Sequence, residues 1–304
     1  METRKIRCKI CSNLKEGIIL RHYNLKICLE CFPYFFKKRI QETIEKFKMF
    51  GQEDNILIAL SGGKDSISIT KALKDLGYNI KAIHINAELG EVSKKSVEIV
   101  KKFCESEKIY LKIINLMEEF QVSLEKISKI LKKPVCAVCG MLRRYVLNKH
   151  AEGQIIVTGH TLNDEVSFIL KNLIFWNDEL LARVSPVLEE REGLSRKVKP
   201  LCLITEEETK VFCKVSNITY VEEQCPYKSE VYEIFKSLVY EINKEFPGSV
   251  AGFYKGFLKR VEKFYSSSST KISVQRCTNC GYPTTTQLCS VCRLKEKLLQ
   301  YKHG

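Results

Sequence analysis

The sequence predicts an α/β fold, a doubly wound parallel sheet with a small zinc-ribbon module at each end. Three observations predict it. Apolar runs of strand length alternate with helical patterns from residue 55 to about 173. The first such run, Ile56–Leu60, breaks at Gly62-Gly63 and passes directly into a helical pattern. Four cysteines crowd each end of the chain as two CxxC pairs, Cys8, Cys11, Cys28 and Cys31 at one and Cys277, Cys280, Cys289 and Cys292 at the other.

In chain order, residues 1–33 form an N-terminal zinc finger. Two CxxC knuckles present four thiolates to one tetrahedral ion and leave no open position, which predicts structural Zn2+ over a rubredoxin-like iron. Residues 34–54 are a connecting helix, with Ile40, Ile44, Phe47 and Phe50 at helical spacing, ending in polar Gly51-Gln52-Glu53-Asp54. The core domain spans 55–230. Its strands are Asn55–Leu60, Ile80–Ile85, Tyr110–Asn115 and Ile155–Thr158. Its helices are Ser66–Leu76, Val92–Glu107, Ser123–Leu131, Cys136–Lys149 and Asp164–Leu173. Right-handed crossovers place the ligand at the C-terminal ends of the strands. Residues 231–270 are helical, broken at Gly248-Ser249, and end in a Ser266–Thr270 linker; 271–304 form the second zinc finger.

The 304 residues carry a net charge of +14, which points to a polyanionic partner such as nucleic acid or simply reflects a lysine-rich proteome. Lys94-Lys95, Lys101-Lys102 and Lys132-Lys133 read as solvated faces, whereas Arg191, Arg196, Lys197 and Lys199 flank a loop and are candidates for RNA backbone contact. No apolar run reaches membrane-spanning length, and Met1–Lys5 opens no apolar signal core, so a cytoplasmic protein with no membrane partner is expected. Fourteen cysteines in such a chain argue for metal binding over disulfides. Cys104, Cys202 and Cys213 have apolar neighbours and read as buried packing.

A strand, a Gly-Gly turn and a helix N-terminus make an anion site, because the first helical N–H groups have no intrahelical partner. Lys64 adds a full charge there. Ser61-Gly62-Gly63-Lys64-Asp65-Ser66 is not a Walker loop; it resembles the PP-loop of the HUP-like ATP pyrophosphatases. That resemblance implies ATP cleaved between its α and β phosphates, with an oxygen adenylated and then displaced. The phosphates would lie over Ser61–Ser66, and the adenosine near Ala59, His84, Ile85 and Gly159. Mg2+ would neutralise the phosphates, with Asp65 its candidate partner.

Cys136-x2-Cys139 and the distant Cys225 are one ligand short of a closed four-cysteine site. By spacing alone they suit an iron–sulfur cluster with one open iron, a redox disulfide, or chance. PP-loop, Cys136–Gly140, Cys225-Pro226-Tyr227 and terminal zinc fingers together resemble the TtuA branch of tRNA 2-thiouridine synthetases, related to the wobble-uridine thiolases and more distantly to the 2-thiocytidine enzyme. Arg21–Asn24 and Val198–Leu201 fall in the same order. The resemblance implies a 4Fe–4S cluster on Cys136, Cys139 and Cys225 whose open iron holds sulfur. It also implies a tRNA uridine adenylated at its C2 oxygen, a homodimer, and a ubiquitin-like thiocarboxylated carrier or free sulfide as sulfur donor. Asp164 matches an acidic family position, to hold magnesium or act in acid–base chemistry.

Two departures stand out. Thr161-Leu162-Asn163-Asp164 lacks the first carboxylate of the family's Asn-Leu-Asp-Asp. Arg143, followed by Arg144, stands where the TtuA branch has lysine. Arginine holds phosphate bidentately but does not titrate, so its role at the site is electrostatic. Arg-Arg leans toward the wobble-uridine branch; Gln224–Tyr227 and Tyr145–Asn148 lean toward the T-loop branch, position 54. Two other readings compete: an amidotransferase or lysidine-type ligase with the same loop, and a non-catalytic zinc-ribbon RNA-binding protein.

Overall fold

A computed structural model describes residues 3–151, 153–191, 193–265 and 275–303. The Ser266–Thr270 linker lies outside them. The chain opens with an antiparallel three-stranded sheet of β1 (Arg4–Arg7), β2 (Leu14–Leu20) and β3 (Leu25–Cys28). Helix α1 (Phe32–Lys46) follows, with Pro33 in its first turn, where a missing N–H costs nothing. It buries Phe32, Phe36, Ile40 and Ile44 on one stripe.

The central domain runs β4 (Ile56–Ala59), α2 (Lys64–Asp75), β5 (Ile80–Asn86), α3 (Glu91–Ser106), β6 (Tyr110–Asn115), α4 (Leu116–Phe120), α5 (Leu124–Leu131), α6 (Val135–Lys149), β7 (Ile155–Val157), α7 (Leu162–Ile174) and α8 (Asp178–Leu181). Next come β8 (Val187–Leu188), β9 (Lys197–Val198), α9 (Glu206–Val215), α10 (Glu230–Glu245) and α11 (Ser249–Tyr265). The last module holds β10 (Gln275–Arg276), β11 (Pro283–Thr284) and α12 (Ser290–His303). The central sheet has strand order β6-β5-β4-β7-β9-β8, parallel except for β8. The order reverses between β4 and β7, so both strands open their C-terminal ends onto one crevice.

Alternation along the strands sorts the two faces. Ile56, Ile58 and Val157 join Ile67 and Ile69 of α2 in the larger core, while Leu57, Ile83 and Ile156 pack against Leu147 and Ala151. The larger core also takes in Ile6, Ile18, Leu20 and Ile27, so the N-terminal sheet shares one continuous apolar interior with the central domain. The C-terminal module packs elsewhere, on α5 and α6, through Val291, Leu294 and Leu298 against Ile127, Leu142 and Tyr145.

The expected strands and helices appear with small shifts of boundary, but α4, α8, β8, β9 and α9 are additions, as are the strands of the two terminal modules and α12. β8 and β9 have two residues each, too few to show a period. Their presence corrects the reading of two basic residues. Arg196 is spent on the backbone, with Nη1 donating to Met49 O at 2.8 Å and Nη2 to Lys48 O at 2.7 Å, and it pairs with Glu189 at 3.0 Å. Lys199 pairs with buried Glu165 at 2.8 Å. Cys104, Cys202 and Cys213 are buried, as their neighbours predict.

Candidate active site at the PP-loop edge

The turn after β4 is built by small residues. Gly62 has φ +89°, and its carbonyl accepts from Val221 N–H at 2.9 Å. A side chain there would be strained and would meet Ser96 and Val221 at 3.3 Å. Ser61 and Ser66 hydroxyls lie 2.9 Å apart, and Ser66 also donates to Gly63 O at 3.0 Å. Gly63 N–H donates to Ser61 Oγ at 3.3 Å. These bonds close a ring over the N-terminus of α2, where the helix dipole favours an anion. Gly159, just past β7, presses on the same turn. A Cβ there would stand 2.8 Å from Ser66 N and 3.0 Å from Asp65 C, so only glycine fits.

Beside the cradle lies a charged cluster. Lys64 Nζ pairs with Asp65 Oδ2 at 2.9 Å and with Glu206 Oε2 at 3.1 Å. Asp65 Oδ1 accepts from Thr209 at 2.5 Å. Asp164 sits in a capping box with Thr161 at the start of α7, accepts from Tyr232 O–H at 2.6 Å, and pairs with Lys236 at 3.0 Å. Lys236 also pairs with Glu206. Burial pushes the Asp65 carboxyl up to about 6, with Glu206 and Asp164 adding to the effect and Lys64 opposing it. Burial acts on Asp164 in the same direction but loses to Lys236, His160 and Tyr232, which hold it well below the usual carboxylate range. Asp164 is thus a fixed negative charge near neutrality, suited to holding a cation and poorly suited to moving a proton. Asn163 Oδ1 accepts from Glu206 N–H at 3.1 Å, a task a neutral amide performs. His160 Nδ1 is engaged by Thr158 Oγ1 at 2.8 Å.

The three candidate cluster cysteines come from α6 and from the loop after Val221. Cys136 and Cys139 are in the first turns of α6, and Cys225 is on the loop that leaves Val221. That loop is pinned to the cradle by Val221–Gly62, to α3 by the Glu223–Lys95 pair, and to α5 by Tyr227 O–H on Glu125 at 3.3 Å. Burial raises the Cys139 thiol, opposed by the Arg143 guanidinium; Cys225 and Cys136 are both close enough to add to the rise. Arg143, Cys136 and Cys225 are thus near enough to act on Cys139 electrostatically, but the three sulfurs are not drawn together on the 4.8 Å scale of the terminal quartets. Cys136 and Cys225 are exposed and Cys139 is buried. Ala59 ends β4 and Ile85 lies near the end of β5, both half-buried on this edge.

The terminal quartets are tight. Within each, all four sulfurs lie within 4.8 Å of one another, the scale of a single ion. Ile10 N–H points at Cys8 Sγ at 3.4 Å, and Cys289 N–H at Cys277 Sγ at 3.2 Å, the backbone donors that stabilise thiolates in a knuckle.

The sequence reading missed Glu206, Thr209, Tyr232 and Lys236. The Thr205–Glu208 capping-box pattern signals α9 and so the position of its first residues, but nothing local ties α9 or α10 to a loop so much earlier in the chain.

An anion cradle between β4 and α2, at the switch point of a parallel sheet, marks a doubly wound nucleotide-binding protein, and its Ser61–Ser66 string is that of a PP-loop. Residues 35–232 match the PP-loop domain family. The tRNA-5-methyluridine(54) 2-sulfurtransferase of Thermotoga maritima is 39% identical over 98% of this chain and 99% of its own. The Pyrococcus horikoshii protein of the same name is 34% identical over 95% and 93%. A solved structure, the U34-tRNA thiolase NcsA from Methanococcus maripaludis with its [4Fe-4S] cluster, superposes with TM-score 0.82 at 24% identity, covering 96% of each chain. The chain belongs to the TtuA-type family of tRNA-5-methyluridine(54) 2-sulfurtransferases within the PP-loop proteins.

Proposed function

We propose that this chain thiolates tRNA at C2 of the T-loop uridine, position 54, consuming ATP and releasing AMP and pyrophosphate. The observation that carries it is the Val221–Tyr227 loop, which fastens Cys225 to the phosphate cradle and to the α5–α6 face at once. An activating site and a sulfur site thereby share one crevice. ATP lies with its phosphates on Ser61–Ser66 and its adenosine against Ala59, Ile85 and Gly159. The uridine O2 attacks the α-phosphorus and pyrophosphate leaves; a sulfur nucleophile then displaces AMP from C2. Lys64 and the α2 N-terminus hold the phosphate charge.

Cys136, Cys139 and Cys225 would hold the 4Fe–4S cluster, which with three protein ligands would offer a place for sulfide. Arg143 adds positive charge beside Cys139 and the incoming phosphate or AMP. Asp65 and Asp164 present carboxylate oxygens suited to Mg2+, Asp164 as the standing charge. The terminal quartets, closed and compact, suit structural Zn2+. Polyanionic tRNA fits the +14 charge. The sulfur donor is a thiocarboxylated ubiquitin-like carrier or free sulfide, the site is cytoplasmic, and the working unit is a homodimer. No helix among the described residues is long and apolar enough to cross a membrane.

Arg143-Arg144 favours a second target, the wobble uridine at position 34. Anaerobically reconstituted protein, given unmodified tRNA, ATP, magnesium and sulfide, decides between them. Sulfur gained in the T-loop fragment supports position 54. Sulfur in the anticodon fragment moves the target to position 34, and none in either removes the thiolation reading.

A further inference from the structure

Lys236 stands beyond the segment matched by the PP-loop family, yet it reaches the nucleotide edge. From the second turn of α10 its Nζ pairs with Asp164 Oδ1 at 3.0 Å and with Glu206 Oε1. The other oxygen of Glu206 holds Lys64 Nζ at 3.1 Å. Two ammonium groups thus flank one carboxylate, and one of them belongs to the anion cradle itself. Both lysine side chains are only 23% exposed. Burial lowers the affinity of Lys236 for its proton, but Asp164 and Glu206 more than restore it, so the group is a permanent cation. A long, flexible side chain is being held inside a charged crevice when water lies within its reach.

Given the ATP-to-AMP reaction proposed above, we infer that Lys236 is a second pyrophosphate-binding lysine, the counterpart of Lys64 delivered by α10. When the uridine oxygen bonds to the α-phosphorus, the bond to the bridging oxygen breaks and its electron pair departs on pyrophosphate. Charge builds on that leaving group, and fixed cations beside it stabilise the transition state. Without nucleotide, three carboxylates (Asp65, Asp164 and Glu206) face two lysines. A polyphosphate carries more charge than Glu206 and competes with it for both ammonium groups. Lys236 keeps Asp164 as its anchor, so it needs only to release Glu206 and turn. Tyr232, one turn earlier on α10, keeps Asp164 oriented meanwhile.

The test uses the whole 304-residue chain with Lys236→Ala and Lys236→Arg, and Lys244→Ala as a control on the same helix, whose amine pairs with exposed Glu241. Inorganic pyrophosphate and AMP are titrated separately in magnesium buffer by calorimetry. Loss of Lys236 weakens pyrophosphate by about tenfold or more and leaves AMP within about twofold. Arginine retains most of the affinity, and the control matches wild type. Unchanged pyrophosphate affinity, or equal weakening of pyrophosphate and AMP, makes Lys236 a strap between helices and overturns the inference. If the alanine variant does not fold, Lys236→Gln keeps the length without the charge and carries the same expectation. Wild-type protein that binds neither ATP nor pyrophosphate overturns the proposed function itself, a result separable from a failure at Lys236 alone.

Discussion

Asp65 illustrates what burial does to one side chain here. Its folded pKa, raised to about 6 from 3.8, means the native state binds a proton that the unfolded chain has already lost. Stability from this group is therefore fullest below the unfolded value and declines as pH rises from about 4 to about 6. The shift corresponds to about 3 kcal/mol at most. Asp65→Asn removes that charge. Its melting temperature relative to wild type should rise between pH 4 and pH 8, while ATP binding falls. A flat difference across that range would assign the raised pKa no energetic weight. At the proposed sulfur site, Cys225→Ala should lose cluster absorbance and thiolation and retain ATP affinity within about twofold. Cys225 lies four residues beyond Val221, whose N–H reaches the cradle at Gly62.

At the scale of elements, the site depends on how closely β7, α2 and α9 approach one another. Gly159→Ala places a methyl group against the backbone of Ser66, where no flexible side chain can yield. Destabilisation of about 1–3 kcal/mol is expected. ATP affinity should fall as well, because the ring of Ser61 and Ser66 shifts; a fully stable variant with normal ATP binding would show that the turn can yield. Helix α9 is aimed by its capping box, in which Glu208 accepts from Thr205 N–H and O–H, both at 2.8 Å. Thr205→Val should cost about 1 kcal/mol in denaturant unfolding and weaken nucleotide binding through Glu206 and Thr209. The alternation of strands and helices was legible because each of those segments carries its own period. Helix α9 was not, although its capping box was visible, because its packing partners lie in α1 and α2. Phe212 stacks on Phe36 at 4.3 Å, a contact no local pattern announces.

Across the whole molecule, the two cysteine modules are tied to different parts of the machine. The N-terminal sheet shares its core with β4 and α2, and His22 meets Glu208 of α9 at 3.3 Å. The C-terminal module leans on α6, the helix of Cys136 and Cys139, with Tyr145 and Tyr282 rings 4.7 Å apart. Cys11→Ser should therefore lower the melting temperature of the main unfolding transition. Cys280→Ser should leave ATP affinity near wild type and reduce the iron retained by α6. The same transition and iron content in both variants would show that the modules are merely appended. The +14 charge predicts tRNA affinity that falls steeply between 50 and 200 mM salt in a filter-binding assay.

The sequence alone determined the parts whose chemistry is local. These are the strand–turn–helix that offers an anion site, the CxxC pairs whose spacing lets four sulfurs meet on the scale of one ion, and the strand alternation that makes the sheet parallel. Each is written within a few consecutive residues, where backbone geometry and side-chain type suffice. Only the tertiary structure decided which charges meet at the cradle. Lys64, Glu206, Lys236 and Asp164 come from four separate helices, or from the turns that start them, and ion pairs across such distances in sequence leave no periodicity to read. It also removed Arg196 and Lys199 from the exposed basic surface, because a buried carboxylate and unpaired backbone carbonyls had first claim on them.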